Sequence, residues 1–405
     1  MQSSDHETPL TTDAERYRVV FAGVCALILS VGLARFAYTP MLPVMQQEAG
    51  MSPLIGGWLA TFIYIGYTTG TLMAMLIKDP LRRYRLYRLC LILALASTLA
   101  MGFVTNAIVW MLLRFIGGLS GIAGMLLASG LVLNWLIRHR HRPRLGLHFT
   151  GAGLGIIVSG ISVSLMGNWL SWEQQWIGLG LLGLLFFIPA WCWMPRPEVL
   201  PIGQTASHAP VAASSRRWLV LMAAAYFCAG CGYVVGATFI VDILEALPLL
   251  SGNGAWVWVI VGLAATPSTF LWDNVAHRIG QIPALLLAYG LQMLSMLLPA
   301  ISDNLVVNLI SAALWGGTFV GIVNLTLTLI GRRFPHNPSG AMAGLTLSYS
   351  VSQMVAPAMT GYVMMLTGQY QSALLTTTAV MAMGIALLLL THWLEPEQQS
   401  VPAQA

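Results

Sequence analysis

Apolar residues in this chain run in blocks of about twenty, broken by short polar gaps. Blocks of that length are long enough to cross the hydrocarbon core of a bilayer as helices, and too long for strands. Twelve are predicted, at 19–43, 55–77, 86–105, 107–136, 145–167, 174–194, 218–243, 254–276, 282–301, 304–330, 340–366 and 370–393. One interruption differs from the others. Residues 195–217, PRPEVLPIGQTASHAPVAASSRR, are rich in Pro, Ser and Ala and have no apolar period, so they read as a linker. The pattern predicts an all-α integral membrane protein: a tail at 1–18, a six-helix bundle at 19–194, the linker, a second six-helix bundle at 218–393, and a tail at 394–405.

Composition agrees. The chain is 57% hydrophobic and 8% charged, against about 25% charged in soluble domains. Its one lysine, Lys78, follows no glycine-rich loop, which excludes a P-loop. The cations are spread over several gaps, so no basic face for nucleic acid is expected. All five cysteines lie in apolar segments and imply no disulfide framework; Cys228 and Cys231 form a CxxC with no His or second pair to make a metal site. His139 and His141, in RHRHRPR, read as part of a solvated basic loop. No cleavable signal peptide is expected, and no cofactor.

Charge also predicts orientation. Arg16 and Arg18 precede the first helix; Lys78, Arg82, Arg83, Arg85 and Arg88 flank the second gap; Arg138, Arg140, Arg142 and Arg144 lie between helices four and five. Arg196, Arg216 and Arg217 are in the linker, Arg278 lies between helices eight and nine, and Arg332 and Arg333 lie between ten and eleven. With twelve spans, all fall on one side. The opposite loops hold Glu48, Glu173, Glu245 and Asp303 and no cation. The positive-inside rule then puts both termini in the cytoplasm.

Two arginines break the pattern. Arg35 lies in SVGLARFAYTP of the first helix and Arg114 in WMLLRFIGGLSG of the fourth. At 1.5 Å per residue, Arg35 is about 24 Å along an outward-running helix and Arg114 about 10 Å below the outer face. A charge at that depth is costly and marks a function. Aligning the glycine pairs of helices four and ten sets Arg114 opposite Ala313, and aligning Gly32 with Gly232 sets Arg35 opposite Val235, so neither arginine has a counterpart in the second half.

The layout resembles the major facilitator superfamily. Helix four, LLRFIGGLSGIAG, is similar to that family's RxxxG-rich motif, with Arg114, Gly118 and Gly121 in place. The loop KDPLRRYRLYR keeps Asp79 and the arginines of the family's second gap without its glycines. WDNVAHRIGQ keeps Arg278 and Gly280 but has His277 where the family usually has Asp. GLARFAYTPMLPVM, with GLHFTGAGLGIIVSG, resembles the YbfB/YjiJ-like branch. The resemblance implies alternating access and a central cavity lined by helices one, four, seven and ten.

The expectation is a secondary transporter, not an enzyme, that acts as a monomer in the lipid bilayer on a small-molecule substrate. With both arginines in the first half and no membrane carboxylate beside them, an organic anion is favoured, since a guanidinium forks a carboxylate. Candidate substrate residues are Arg35, Tyr38, Arg114, Tyr233, Trp315, Asn324 and Gln353; Phe36, Tyr64, Tyr67, Tyr226 and Tyr349 are further aromatic candidates. Asp79, Asp242, Asp273, Arg278 and His148 are candidates for coupling or gating. Other readings are bland: Arg114 bracing backbone carbonyls, Arg35 reaching for the interface, and His148 as a polar residue at the cytoplasmic rim. A drug or metabolite exporter is the alternative function.

Overall fold

In the computed structural model, residues 13–77, 79–139, 145–197, 216–250, 252–333 and 338–394 are described. Most of the linker, much of both tails and most of the RHRHRPR loop therefore lie outside the described residues. Twelve helical rods follow one another: α1 (Asp13–Glu48), α2 (Pro53–Leu76), α3 (Pro80–Phe103), α4 (Ala107–Arg138), α5 (Gly146–Met166), α6 (Trp172–Cys192), α7 (Arg216–Glu245), α8 (Ala255–Ile279), α9 (Gln281–Ile301), α10 (Leu305–Arg333), α11 (Pro338–Thr367) and α12 (Gln371–Leu394). Among the described residues, 11 rods are long and apolar enough to span a membrane. The other is α11, whose apolar stretch is diluted by Ser348, Ser350, Ser352 and Gln353.

Polar caps start several rods where the apolar runs begin. Asn106 accepts the amides of Ile108 (2.9 Å) and Val109 (3.4 Å) at the head of α4, and Asn304 accepts that of Val306 (2.9 Å) before α10. Asp79 caps α3 by accepting from the Leu81 amide, with Pro80 just after it, where a missing N–H costs nothing. Gly280, at φ 93°, makes the reversal from α8 to α9 in a left-handed conformation open to glycine.

The chain divides into two compact units, one of Met1–Tyr38 with Ile65–Ile202 and one of Thr39–Tyr64 with Gly203–Ala405. The expected bundles were drawn at the linker; the compact units also divide α1 and α2 partway along their lengths. In the first unit α1 is the central post, with 94% of its most apolar window buried, and α3, α4, α5 and α6 pack around it. In the second unit α7 packs on α11 and α12, and α10 packs on α8 and α9.

Candidate functional site

The middle of α1 is not an α-helix. Ile28–Phe36 is π-helical, and the tract closes with the Ala37 amide donating to the Gly32 carbonyl at 2.9 Å, five residues back. Such tracts are rare and concentrate at functional sites. Just beyond it, Pro40 and Pro43 have no amide to offer the carbonyls four residues before them, so regular helix bonding is thin at this junction.

Glycine faces of two neighbours hold the tract. On α4, Gly117 approaches the Ala34 carbonyl so closely that a Cβ would lie 3.1 Å from its oxygen; on Gly121 it would lie 2.9 Å from the Ser30 oxygen, and on Gly124 3.4 Å from the Ser30 Cβ. On α5, a Cβ on Gly155 would lie 2.6 Å from the Gly32 Cα. These glycines, with Gly121 of the family-like motif among them, thus let three backbones meet, as small residues do between membrane helices.

Arg114 continues the α4 face. Its Nη2 donates to the Ala34 carbonyl at 2.7 Å and lies 3.5 Å from the Arg35 carbonyl. Its guanidinium lies 5.1 Å from the Tyr38 ring centre and 5.3 Å from that of Trp176. Arg35, 8% exposed, lies over the rings of Tyr67 (4.4 Å) and Phe36 (4.9 Å). Arg35, Tyr38 and Arg114 are therefore brought together within the first unit. Trp176 was not anticipated, because nothing in α6 marks that ring as facing α4.

His148, in the first turn of α5, is fully buried. Its Nε2 lies 2.8 Å from the Ser129 hydroxyl, and its ring fills the space beside Gly23. Asp79 is exposed and lies 3.5 Å from Arg82.

The second unit holds an aromatic stack. Tyr233 packs against Trp315 (5.8 Å), Phe319 (5.4 Å) and Tyr349 (5.8 Å), and meets Tyr64 edge-on at 6.3 Å. Trp315 stacks on Phe319 at 4.7 Å and donates its indole N–H to the Gly232 carbonyl at 3.3 Å. Gln353, one turn beyond Tyr349, is buried, and its Oε1 meets no protein donor. Gln292, not foreseen, is buried with neither amide atom bonded to protein. Its place in the middle of the apolar run 282–301 is the signal that could have found it.

Two further pairs form in this unit. Asn324 donates to Asp273 at 2.6 Å, joining a substrate candidate to a coupling candidate on an exposed surface. The Tyr370 hydroxyl donates to Asp242, with Gln46 of α1 beside the carboxyl, and the Thr39 hydroxyl donates to the Ala237 carbonyl one turn away on α7. Arg278 is exposed in the last turn of α8. Among the described residues no three His, Cys, Asp or Glu side chains converge as metal ligands.

A model of the family described as "Uncharacterised MFS-type transporter YbfB" matches residues 27–389. The chain is 24% identical over 385 residues to an uncharacterized transporter, YycB, of Bacillus subtilis (strain 168), covering 91% of this chain and 92% of that one. Among solved structures it is similar to the nucleoside transporter NupG, with a TM-score of 0.76, 12% identity, and coverage of 93% of this chain and 98% of that one. It is also similar to a bacterial homologue of the human lysosomal transporter Spinster in an inward-facing, unoccupied conformation, with a TM-score of 0.69, 16% identity, and coverage of 97% and 100%. These structural likenesses extend the fold across nearly the whole chain. With twelve helical rods, a glycine-lined first helix and a family match over almost its full length, the chain belongs to the YbfB-type transporters of the major facilitator superfamily, a multi-pass membrane transporter of a small molecule rather than an enzyme.

Proposed function

We propose that the protein is a secondary transporter of a small organic anion, that it works by alternating access in the bacterial inner membrane with both termini cytoplasmic, and that Arg35 is the principal ligand of the solute. The observation that carries the reading is the setting of Arg35: a buried guanidinium within a spanning helix, lying over the rings of Tyr67 and Phe36. A guanidinium carries a planar set of N–H donors that matches a carboxylate, which a point charge does not. An anion there would offset the cost of a charge at membrane depth. The one-sided cations support the orientation.

Asp242 is the proposed proton carrier. It is a carboxyl on α7 held by Tyr370 next to the outer part of α1, where a change in its charge would alter a contact between helices. The aromatic stack at Tyr233 and Trp315 supports the second reading, export of planar apolar solutes.

The test is thermal stability of the purified protein with acetate, lactate and benzoate, and with apolar planar amines. A ligand of the native state raises apparent stability. An anion-dependent rise that vanishes in Arg35→Gln is expected. A rise with amines alone, or one unchanged in Arg35→Gln, overturns the anion reading.

A further inference from the structure

We propose that Arg114 is a positioning residue and not a solute ligand: it holds α1 in its π-helical register and thereby sets the direction in which Arg35 faces. The proposal deepens the reading of Arg35 as the solute's ligand and rests on it.

Three independent observations meet at one point of α1. The first is the register itself. Ile28–Phe36 is wound as a π-helix, and its last bond, from the Ala37 amide to the Gly32 carbonyl, spans five residues. Closing the tract to four-residue bonding would remove one residue's worth of winding. A residue of α-helix spans about 100° of azimuth, so everything on one side of the tract would turn by about that much against the other. Arg35 is the second-last residue of the tract, which puts it where the turn is felt.

The second is the carbonyl ridge. Ser30 and Ala34, four apart, present their carbonyl oxygens to Gly121 and Gly117 of α4. This places both oxygens on one face of α1 in the observed register. A turn of about 100° would take Ala34 off that face.

The third is Arg114. Its Nη2 reaches the Ala34 and Arg35 carbonyls, 2.7 and 3.5 Å away; with five-residue bonding the Arg35 carbonyl would look to Pro40, which has no amide to give. Charge-assisted bonds to carbonyls inside a buried, 2% exposed setting are among the stronger ones available. Arg114 finds those carbonyls only in the π register, and a group that binds one of two conformations shifts the population towards it. The register then gives α1 two discrete states in which Arg35 faces different directions, and Arg114 favours one.

The experiment is hydrogen exchange of the full-length protein in detergent, followed by mass spectrometry on peptides covering residues 28–38, for wild type, Arg114→Gln, Arg114→Lys and Arg35→Gln. Losing the bonds that hold a segment raises its local opening. Exchange in 28–38 is expected to rise about tenfold in Arg114→Gln and about threefold in Arg114→Lys, which keeps a charged donor on a shorter, more strongly hydrated group in place of the Nη2 that contacts both carbonyls. Arg35→Gln and peptides from α8 to α12 should match wild type. If Arg114→Gln does not insert, the lysine variant decides alone, and wild-type exchange in 28–38 overturns the proposal. Unchanged exchange in Arg114→Gln together with loss of the benzoate-dependent thermal shift would make Arg114 a solute ligand and also overturn it. A benzoate shift retained in Arg35→Gln instead removes the reading of Arg35 and leaves the register result standing.

Discussion

Gly32→Ala and Gly130→Ala make the same chemical change in two helices, and the structure sets their outcomes apart. A Cβ on Gly32 would lie 2.8 Å from the Gly155 carbonyl carbon and 2.9 Å from its oxygen. Both are backbone atoms, so no side-chain rotation relieves the clash, and α1 and α5 must move apart. Overpacking of this kind costs about 1–3 kcal/mol. At Gly130 nothing lies within 4 Å of the new methyl, and alanine improves helix propensity by about 0.5–1 kcal/mol. Unfolding of membrane proteins in detergent is commonly irreversible, so the useful measure is the half-life at a fixed temperature. If a loss of about 2 kcal/mol falls wholly on the unfolding barrier, the half-life drops by up to about thirtyfold. Gly130→Ala should lengthen it about two- to fivefold. Half-lives that agree for the two variants would show that α1 and α5 do not meet backbone to backbone, and the account of the glycine faces would fall with them.

Other consequences are simpler to check. Asn106→Ala removes the acceptor of two amides at the head of α4 and should cost about 1 kcal/mol, read as a several-fold shorter half-life. Trp315→Ala empties a site that is 0% exposed and stacked on Tyr233 and Phe319; a cost of about 3–5 kcal/mol should leave little folded protein after purification, while Trp315→Phe should recover most of it. Asp242→Asn should abolish anion-linked pH change in proteoliposomes loaded with a pH dye while keeping the anion-dependent thermal shift, and persistent pH change would exclude Asp242 as the proton carrier. Asp273→Asn touches a pair on an exposed surface, so its half-life should stay within about threefold of wild type, as exposed polar pairs contribute little.

Much of the scaffold is visible along the chain because hydropathy is a local property. The predicted first helix at 19–43 is observed as Asp13–Glu48, since the polar flanks carry the helix on past the apolar stretch that marks it. The glycine-rich run around Arg114 is plain in the sequence, and in the structure Gly117 and Gly121 of that run lie against carbonyls of α1. The sequence offered Arg35, Tyr38, Arg114, Tyr233, Trp315, Asn324 and Gln353 as one undivided set, without saying which of them touch. It did not indicate that Asn324 and Asp273 touch across 51 positions, that Tyr370 meets Asp242, or that His148 is enclosed, because each depends on which faces of separate helices meet.

Amino-acid order alone marks this chain as a membrane protein, gives the number and approximate places of its helices, and picks out the residues that are too polar for an apolar run. All of these follow from transfer free energies and backbone bonding that act within about twenty residues. The tertiary structure decides the register of α1 and the partner of Arg114. A π-helical tract has no side-chain signature: ILSVGLARF reads equally well with four- or five-residue bonds. The choice between them is made by backbone oxygens lying against glycines from two other helices and by one guanidinium reaching across from α4, and such contacts exist only once the helices are packed.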